Sequence, residues 1–246
     1  MPEGPSIVLA KEAIQSFVGK KILTADGSSK KVDFGRLLGT KMSAVKTWGK
    51  HLLLCFPGFT LRVHFLMFGS YAINEAKVHR IPRLKLSFSG KKTLYLYTCS
   101  VIAIDGSLSK IYDWTADVMN KKWDNRKAMN KLKNNSESMV CDVLLDQNIF
   151  AGVGNIIKNE VLFRIKTHPA SKVGELPSAK KRELIREVVH YSQQFLAWKR
   201  TFTLRKHWLA YTKKVCPRDE HPFLKKYLGK TKRRTFYCTT CQKLYD

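Results

Sequence analysis

Residues 21–104 form a series of short β-rich runs separated by glycine, and this pattern restricts the possible folds more than any other feature. Each run has the length of a single strand: 44–48, 52–56, 60–65, 84–88, 92–97 and 101–104. Strands at this spacing, with turn residues between them, are typical of an antiparallel sandwich. We therefore predict an antiparallel β-sandwich in the N-terminal half.

A helix is predicted before this β-rich region. Its apolar residues recur at steps of three and four and therefore share one face: Ile7, Ala10, Ile14 and Phe17. Gly19 marks the expected end of the helix. Burial of this face would attach the N-terminus to the core.

The second half of the chain has a helical period instead. A segment rich in lysine and asparagine, 117–138, separates the two patterns, and we place a domain boundary near residue 125. Beyond it, apolar residues recur at helical spacing in three segments: 140–144, 156–162 and 184–196. Ser178, directly after Pro177, is the expected start of the last of these helices.

The net charge of +26 restricts the partners of this protein. Such an excess repels itself unless a polyanion offsets it, and nucleic acid is the commonest polyanion. An anionic membrane surface is the alternative, but the sequence has no apolar run of about 20 residues. A basic segment followed by an apolar stretch, as in a secretory signal, is also missing at the N-terminus. We therefore expect an intracellular protein, cytoplasmic or nucleoid-associated, without a membrane partner. We also expect a monomer.

Three cysteines and one histidine near the C-terminus have the spacing of a four-coordinate structural zinc site: Cys216, His221, Cys238 and Cys241. The segment between the two pairs is typical of a β-hairpin that the metal would close. The alternative is that these thiols and a surface histidine are unrelated. Four protein ligands leave no position for a substrate, so the sequence predicts zinc as a structural cofactor.

A basic run, 230–234, lies between the predicted ligand pairs. Runs of charge are usually solvated faces. On a rigid hairpin in so basic a protein, contact with phosphates is the interpretation that we favour.

The N-terminal sequence Met1-Pro2-Glu3-Gly4-Pro5 contains groups suited to amine chemistry. If Met1 is removed, Pro2 presents a secondary α-amine, and an ordinary α-amine pKa of about 7.7–8.0 leaves a useful unprotonated fraction. Such an amine can attack a sugar aldehyde carbon and form an iminium, which is an electron sink for elimination. Glu3 is a candidate general acid or base beside it. The alternative is a Met-Pro start without chemical meaning.

Two turns contain further candidate phosphate contacts. The glycine-rich segment 152–155 joins two predicted helices, and backbone amides at such a turn can bind a phosphate. Asn155 could instead only cap the second helix. Lys50 lies where two predicted strands meet, and could reach a phosphate or be an ordinary exposed turn lysine.

Taken together and in this order, these segments resemble the formamidopyrimidine-DNA glycosylase and endonuclease VIII family of base-excision repair enzymes. The resemblance extends from MPEGP, through WGKHLLL and LLDQNIFAGVGNIIKNEVLF, to RRTFYCTTCQ. It implies an α+β multidomain protein with a helix and β-sandwich domain (1–125), a helix-two-turn-helix domain (126–212) and a zinc finger (213–246). It also implies damaged double-stranded DNA as the partner.

The resemblance implies a role for each matched residue. Pro2 matches the nucleophile of the family, and Glu3 matches the acid that protonates the sugar. Lys50 matches a hairpin lysine that holds a backbone phosphate near the lesion. Asn155 and Arg233 match phosphate ligands of the helix-two-turn-helix and of the zinc finger.

Two further matches and two departures complete the comparison. Met67 falls where the family inserts a side chain into the gap left by an extruded base. Glu160 matches an acid that supports the site without touching the substrate. Ser6 stands where a glutamate is common, which removes one acidic group from the site. His221 stands where a cysteine is frequent, and imidazole is also an acceptable zinc ligand.

The implied function is a bifunctional DNA glycosylase and abasic-site lyase that works through an N-terminal proline Schiff base with β,δ-elimination. Segment 97–102 lacks the arginine-phenylalanine loop of the purine-directed branch, which favours oxidised pyrimidines as substrates. Three alternatives stay open: a non-catalytic lesion-binding protein of the same fold, a purine-directed glycosylase, and a zinc-hairpin regulator that binds nucleic acid.

Overall fold

The computed structural model describes residues 2–246, and the chain divides into two compact units. The first unit ends at Tyr112 and the second begins at Asp113. Segment 213–246, predicted as a separate zinc-finger domain, is part of the second unit.

The predicted boundary near residue 125 lies inside the second unit, because the segment before it pairs with backbone further along the chain. The N–H of Val118 donates to the carbonyl of Ala151, and the N–H of Ala151 donates to the carbonyl of Ala116. These bonds attach the lysine-rich segment to the helical region. Its composition resembles a linker, but its backbone is part of the second unit.

The first unit begins with helix α1 (Gly4–Ile14), which continues as a 3-10 turn (Gln15–Phe17). Pro5 lies in the first helical turn, where a missing N–H costs no helical hydrogen bond. The predicted apolar face is confirmed, since all four of its residues are buried: Ile7, Ala10, Ile14 and Phe17.

Six antiparallel strands follow: β1 (Ile22–Asp26), β2 (Ala44–Trp48), β3 (His51–Phe56), β4 (Phe59–Ile73), β5 (Leu84–Phe88) and β6 (Lys92–Asp105). They form one sheet in the order β1-β5-β6-β4-β3-β2. The runs predicted at 92–97 and 101–104 belong to a single long strand, β6. A short helix, α2 (Leu108–Ile111), ends the first unit.

The two long strands change register at a bulge in β4. Phe65 pairs with Cys99, whereas Ser70 pairs with Tyr97, so the residues between Phe65 and Ser70 lie outside the regular ladder. A bulge bends a strand and increases its twist. Strands from both halves of the sheet contribute to one apolar core. The predicted antiparallel β-architecture is confirmed.

The second unit contains four helices and a hairpin among its described elements: α3 (Asn125–Lys133), α4 (Val140–Val143), α5 (Asn155–Arg164), α6 (Ser178–Arg200), β7 (Leu224–Leu228) and β8 (Arg233–Tyr237). The predicted helix start at Ser178 and the predicted C-terminal hairpin are confirmed. Helices α3 to α6 share one apolar core. Of the helices in the described part of the chain, none is long and apolar enough to cross a membrane.

Candidate nucleic-acid interface

Pro2 and Glu3 lie directly before α1. Pro2 is half-buried, and Glu3, the N-cap residue, is only 2% exposed. The Glu3 carbonyl accepts the N–H groups of Ser6 and Ile7, which attaches the end of the chain to the first helical turn. A carboxyl group is therefore buried one residue from Pro2. The predicted removal of Met1 concerns a residue outside the described part of the chain.

Lys50 lies at the tip of the β2–β3 hairpin. Trp48 pairs with His51, so Gly49 and Lys50 form a two-residue turn. Gly49 has a φ of 52°, a left-handed conformation that suits glycine and that tight hairpin turns require. The predicted phosphate contact Lys50 therefore lies in the turn of this hairpin.

Beside Lys50, the sheet carries a polar and aromatic cluster that the sequence analysis missed. His51 on β3 pairs with His64 on β4, and their ring centroids lie 5.6 Å apart. The Tyr112 hydroxyl lies 3.3 Å from His51 Nδ1. The hydroxyl also bonds to the side chain of Arg62, two residues before His64 in the chain. The sequence shows one histidine in each of two adjacent predicted strands, which is the only signal of this cluster. The strand register is needed to show that the two rings lie together.

Both imidazoles in this cluster have lowered pKa values. The pKa of His51 is lowered to about 4, mainly by burial and in addition by the neighbouring His64, Arg62 and Lys50. Burial, Lys50 and Arg62 also lower the pKa of His64. Because protonation is disfavoured, the positive charge beside this hairpin comes mainly from Lys50 and Arg62. An anion bound between them would be stabilised by both.

The β4 bulge exposes three successive apolar side chains. Leu66, Met67 and Phe68 are 46%, 53% and 74% exposed. Gly69 fits this bulge because a side chain there would come within 2.8 Å of the Phe65 Cα and the Thr98 carbonyl oxygen. The predicted wedge residue Met67 therefore lies on a protruding apolar segment with two similar neighbours.

Asn155 is the first residue of α5, and it does not act as the helix cap. Gly154 occupies the N-cap position and has no side chain to cap the helix. The Asn155 side-chain amide instead donates to the carbonyl of Arg234, at 2.9 Å. The alternative that this residue only caps a helix is therefore wrong. Asn155 connects the start of α5 to strand β8.

Two more residues of α5 hold the same strand. The Lys158 ammonium is fully buried and donates to the Thr235 hydroxyl at 2.7 Å. The Asn159 side-chain oxygen accepts the N–H of Phe236 at 2.7 Å. These bonds fix the strand that carries Arg233, whose side chain is exposed. The predicted phosphate ligands Asn155 and Arg233 thus belong to one rigid α5–β8 assembly.

Glu160 is fully buried on α5 and supports a loop. Its carboxylate oxygens accept the N–H groups of Leu209, Ala210 and Tyr211, at distances from 2.7 to 3.1 Å. Removal of the carboxylate would leave these buried or partly buried donors without this partner, which is costly. This carboxylate fixes the backbone that leads to Cys216.

A cluster of possible metal ligands lies at the base of the hairpin: Cys216, Asp219, Cys238 and Cys241. One ligand atom from each residue lies within 4.8 Å of the others. The sulfurs of Cys216 and Cys241 are 3.8 Å apart. Two thiolates each about 2.3 Å from one tetrahedral zinc ion would lie at about this separation, so the donor set fits the metal.

The predicted ligand His221 lies outside this cluster, whereas Asp219 lies within it. The His221 side chain is 61% exposed, and its Nδ1 lies 2.8 Å from the backbone oxygen of Asp219. The Asp219 carboxylate instead lies 3.1 Å from the sulfur of Cys238. The structure thus brings together three of the four predicted ligands, and His221 as the fourth stays a prediction.

Comparisons with known proteins agree with this architecture. Residues 1–98 match the N-terminal domain of formamidopyrimidine-DNA glycosylase, and residues 115–204 match its helix-two-turn-helix (H2TH) domain. Together the two domains account for most of the chain. This protein belongs to the formamidopyrimidine-DNA glycosylase and endonuclease VIII family, and the predicted fold class is confirmed.

Two named relatives differ in how much of their length this chain spans. It is 31% identical to Endonuclease 8-like 3 of Mus musculus over 215 residues, which are 83% of this chain but 35% of that protein. It is 27% identical to Endonuclease 8-like 2 of Mus musculus over 322 aligned positions, covering 98% of this chain and 96% of that protein. The chain thus spans about a third of the first relative and nearly all of the second.

A solved structure shows the same fold. The Lactococcus lactis formamidopyrimidine-DNA glycosylase, bound non-covalently to DNA containing an abasic site, superimposes with a TM-score of 0.84. The match covers 98% of this chain and 99% of that one, at 19% sequence identity. At this identity, the likeness concerns the fold alone.

Proposed function

We propose that this chain is a DNA glycosylase of base-excision repair with abasic-site lyase activity, directed at oxidised pyrimidines in double-stranded DNA. The observation that carries the proposal is the N-terminus, where the buried Glu3 carboxyl group lies one residue from Pro2. Family membership and the names of the relatives support the same activity.

The reaction needs a secondary amine and an acid at one sugar. The damaged nucleotide must first leave the stack, since its C1′ cannot be approached within the duplex. With Met1 removed, the Pro2 amine attacks C1′ while Glu3 donates a proton to the ring oxygen. The bond from C1′ to the base breaks, and the proton that the Pro2 nitrogen loses passes to the departing base. The ring then opens at its protonated oxygen, and an iminium links C1′ to Pro2.

The iminium then permits strand cleavage. Loss of a proton from C2′ supplies the electron pair that expels the 3′ phosphate, which is β-elimination. A second proton loss and expulsion of the 5′ phosphate complete δ-elimination. Water finally hydrolyses the iminium and restores the Pro2 amine. Pro2 is thus the nucleophile of the proposal.

Each of the two units has its own residues that would bind DNA phosphates. In the first unit, Lys50 and Arg62 supply positive charge, and the neutral His64 beside them can donate a hydrogen bond. In the second unit, Asn155 and Arg233 lie on the α5–β8 assembly. Met67 is the proposed wedge that fills the gap left by the extruded nucleotide.

Zinc is proposed as a structural cofactor at the base of the hairpin. Cys216, Asp219, Cys238 and Cys241 would hold it, and it would close the hairpin as a rigid unit. Arg218 attaches the base of the hairpin to α5, because its guanidinium donates a hydrogen bond to the Phe163 carbonyl at 2.8 Å. The chemistry at the sugar is assigned to Pro2 and Glu3 and does not pass through the metal.

Excision assays on three duplexes test the proposal. One duplex contains 5-hydroxyuracil, one contains 8-oxoguanine and one contains only undamaged bases. We expect single-turnover excision of the pyrimidine to be fastest. Glu3→Gln should reduce this rate by about 100-fold or more, because general acid catalysis contributes at least that much. Preferential release of the purine would contradict the substrate assignment, and an unchanged Glu3→Gln rate would contradict the role of the acid.

A non-catalytic lesion-binding protein is the second candidate, and Ser6 favours it. This residue stands in the first turn of α1 where relatives commonly carry a glutamate, and its N–H donates to the Glu3 carbonyl at 2.8 Å. Such a protein would bind damaged duplex without releasing the base. An intact mass that includes Met1, together with tight lesion binding and no excision, would establish this reading.

A further inference from the structure

A cavity of about 580 Å³ lies between α3 and α6 in the second unit. The buried Ile185 and the half-buried Met129 give it an apolar floor, and Arg126, Arg182 and Arg186 are exposed at its rim. The volume is within the range of about 300–1,000 Å³ that is common for ligand pockets. None of the residues proposed above to contact DNA lines this cavity.

The arginines at this rim occupy positions where a positive charge destabilises the helix that carries it. Arg126 is the second residue of α3, where the helix dipole disfavours a positive charge. Arg182 and Arg186 are four residues apart on α6, a like-charge spacing that destabilises a helix. A functional partner for these charges would explain an arrangement that the isolated helices do not favour.

None of the ion pairs in the described part of the chain includes one of these three arginines. Asp124, two residues before Arg126, accepts the backbone N–H groups of Arg126 and Lys127 and caps α3, so its interaction with the Arg126 guanidinium is through charge only. Two N-terminal amides of α3 are therefore satisfied, and the guanidinium groups are the positively charged groups at the cavity.

We propose that this cavity is a docking site for an acidic peptide segment of a partner protein, anchored by one large apolar side chain. Arginine pairs with carboxylates through two parallel hydrogen bonds, which suits aspartate and glutamate. The apolar floor formed by Met129 and Ile185 needs an aliphatic or aromatic group to fill it. A DNA backbone offers anions but no such group, so the combination favours a peptide.

Fluorescence anisotropy with the full chain and a short labelled peptide tests the proposal. The probe peptide consists of aspartate and glutamate around a central leucine-phenylalanine pair. One comparison peptide has serines in place of the central pair, and another has lysines in place of the acids. We expect saturable binding of the probe and at least tenfold weaker binding of both comparison peptides.

Variants assign the binding to the cavity. Arg182→Glu with Arg186→Glu should abolish binding, whereas Arg205→Glu with Lys206→Glu makes the same change in charge at exposed residues elsewhere in the unit. Met129→Trp fills the cavity without changing the charge, and should weaken peptide binding at least tenfold. Circular dichroism and base excision, both expected to stay at wild-type levels in Met129→Trp, show that the fold is intact.

Three results would overturn the proposal. Equal binding of the probe and of the serine peptide would show that the apolar floor does not contribute and that the binding is unspecific charge attraction. Equal loss of binding in the two charge-reversed pairs would also show unspecific charge attraction. If the peptide does not bind and Arg182→Glu with Arg186→Glu weakens duplex binding more than the control pair does, the arginines belong to a DNA surface.

Discussion

At the scale of single residues, His51 combines burial with an unusually positive environment. Burial, the largest cause, and the neighbouring His64, Arg62 and Lys50 together lower its pKa to about 4. The Tyr112 hydroxyl next to its Nδ1 is consistent with a neutral ring. Between the ordinary pKa of 6.5 and about 4, the unfolded chain therefore binds more protons than the folded chain at this position.

This difference in proton binding should make the stability of the protein depend on pH. The stability that the neutral His51 contributes is fully present above the ordinary histidine pKa of about 6.5, and is lost as the pH falls towards the folded-state value. Wild-type protein should therefore lose free energy of unfolding more steeply over this interval than His51→Gln. Urea denaturation at a series of pH values measures the slope. The exposed His79, changed to Gln, is the control, and equal slopes in wild type and His51→Gln would contradict the assignment.

A second residue-scale prediction concerns the metal ligands. Because the Asp219 carboxylate lies within the cysteine cluster and His221 lies outside it, Asp219→Ala should reduce the bound zinc more than His221→Ala does. Zinc content measured on purified protein by mass spectrometry gives the result. A larger loss of zinc from His221→Ala than from Asp219→Ala would show that His221 is a zinc ligand, as the sequence predicted.

At the scale of elements, the turn of the hairpin β7–β8 contacts helix α4. Asp142 Oδ1 accepts the N–H of Lys230 at 2.9 Å. Gly229 has a φ of +76°, and a side chain there would come within 2.8 Å of the Asp142 carboxyl carbon. The turn therefore needs both the glycine and the acceptor to approach the helix so closely.

Gly229→Ala should displace this turn from α4 while the zinc ligands stay in place. We expect zinc content to be unchanged and DNA affinity to fall, because Arg233 directly follows the turn on β8. Asp142→Asn keeps a side-chain oxygen as acceptor and should behave like wild type. Binding isotherms and zinc analysis of the two variants provide the test. Wild-type affinity in Gly229→Ala would show that the turn contact does not position Arg233.

Local elements could be predicted because their signals are local. Strand β2, strand β5 and the start of α6 follow from alternation, glycine spacing and Pro177. The His51–His64 cluster could not be predicted, because strand register alone brings these rings together. The sequence predicts the boundary near residue 125 because segment 117–138 is polar, whereas hydrogen bonds with Ala151 attach the backbone at 116–118 to the second unit.

At the scale of the whole molecule, the net charge of +26 dominates the expected binding. A protein that neutralises phosphates releases condensed counterions, so its affinity falls as salt rises. Each phosphate contact adds about 0.9 to the slope of log affinity against log salt concentration for duplex DNA. The charge of the protein thus predicts a steep slope whatever the lesion.

Arg233→Ala should reduce this slope by about 1, because it removes one proposed phosphate contact. The exposed Arg205, changed to Ala, has the same charge change without a proposed contact and should leave the slope unchanged. Titrations of a labelled abasic duplex at several salt concentrations measure both slopes. Equal slopes for the two variants would remove Arg233 from the set of phosphate ligands.

The central claim is that the α-amine of Pro2 is the nucleophile, and borohydride trapping on a duplex with one abasic site tests it most directly. Protein shown by intact mass to lack Met1 is compared with a form that has an additional residue before Pro2. We predict a covalent protein–DNA adduct for the first form and none for the second. An adduct that survives blocking, or no adduct from protein that lacks Met1, would contradict the account.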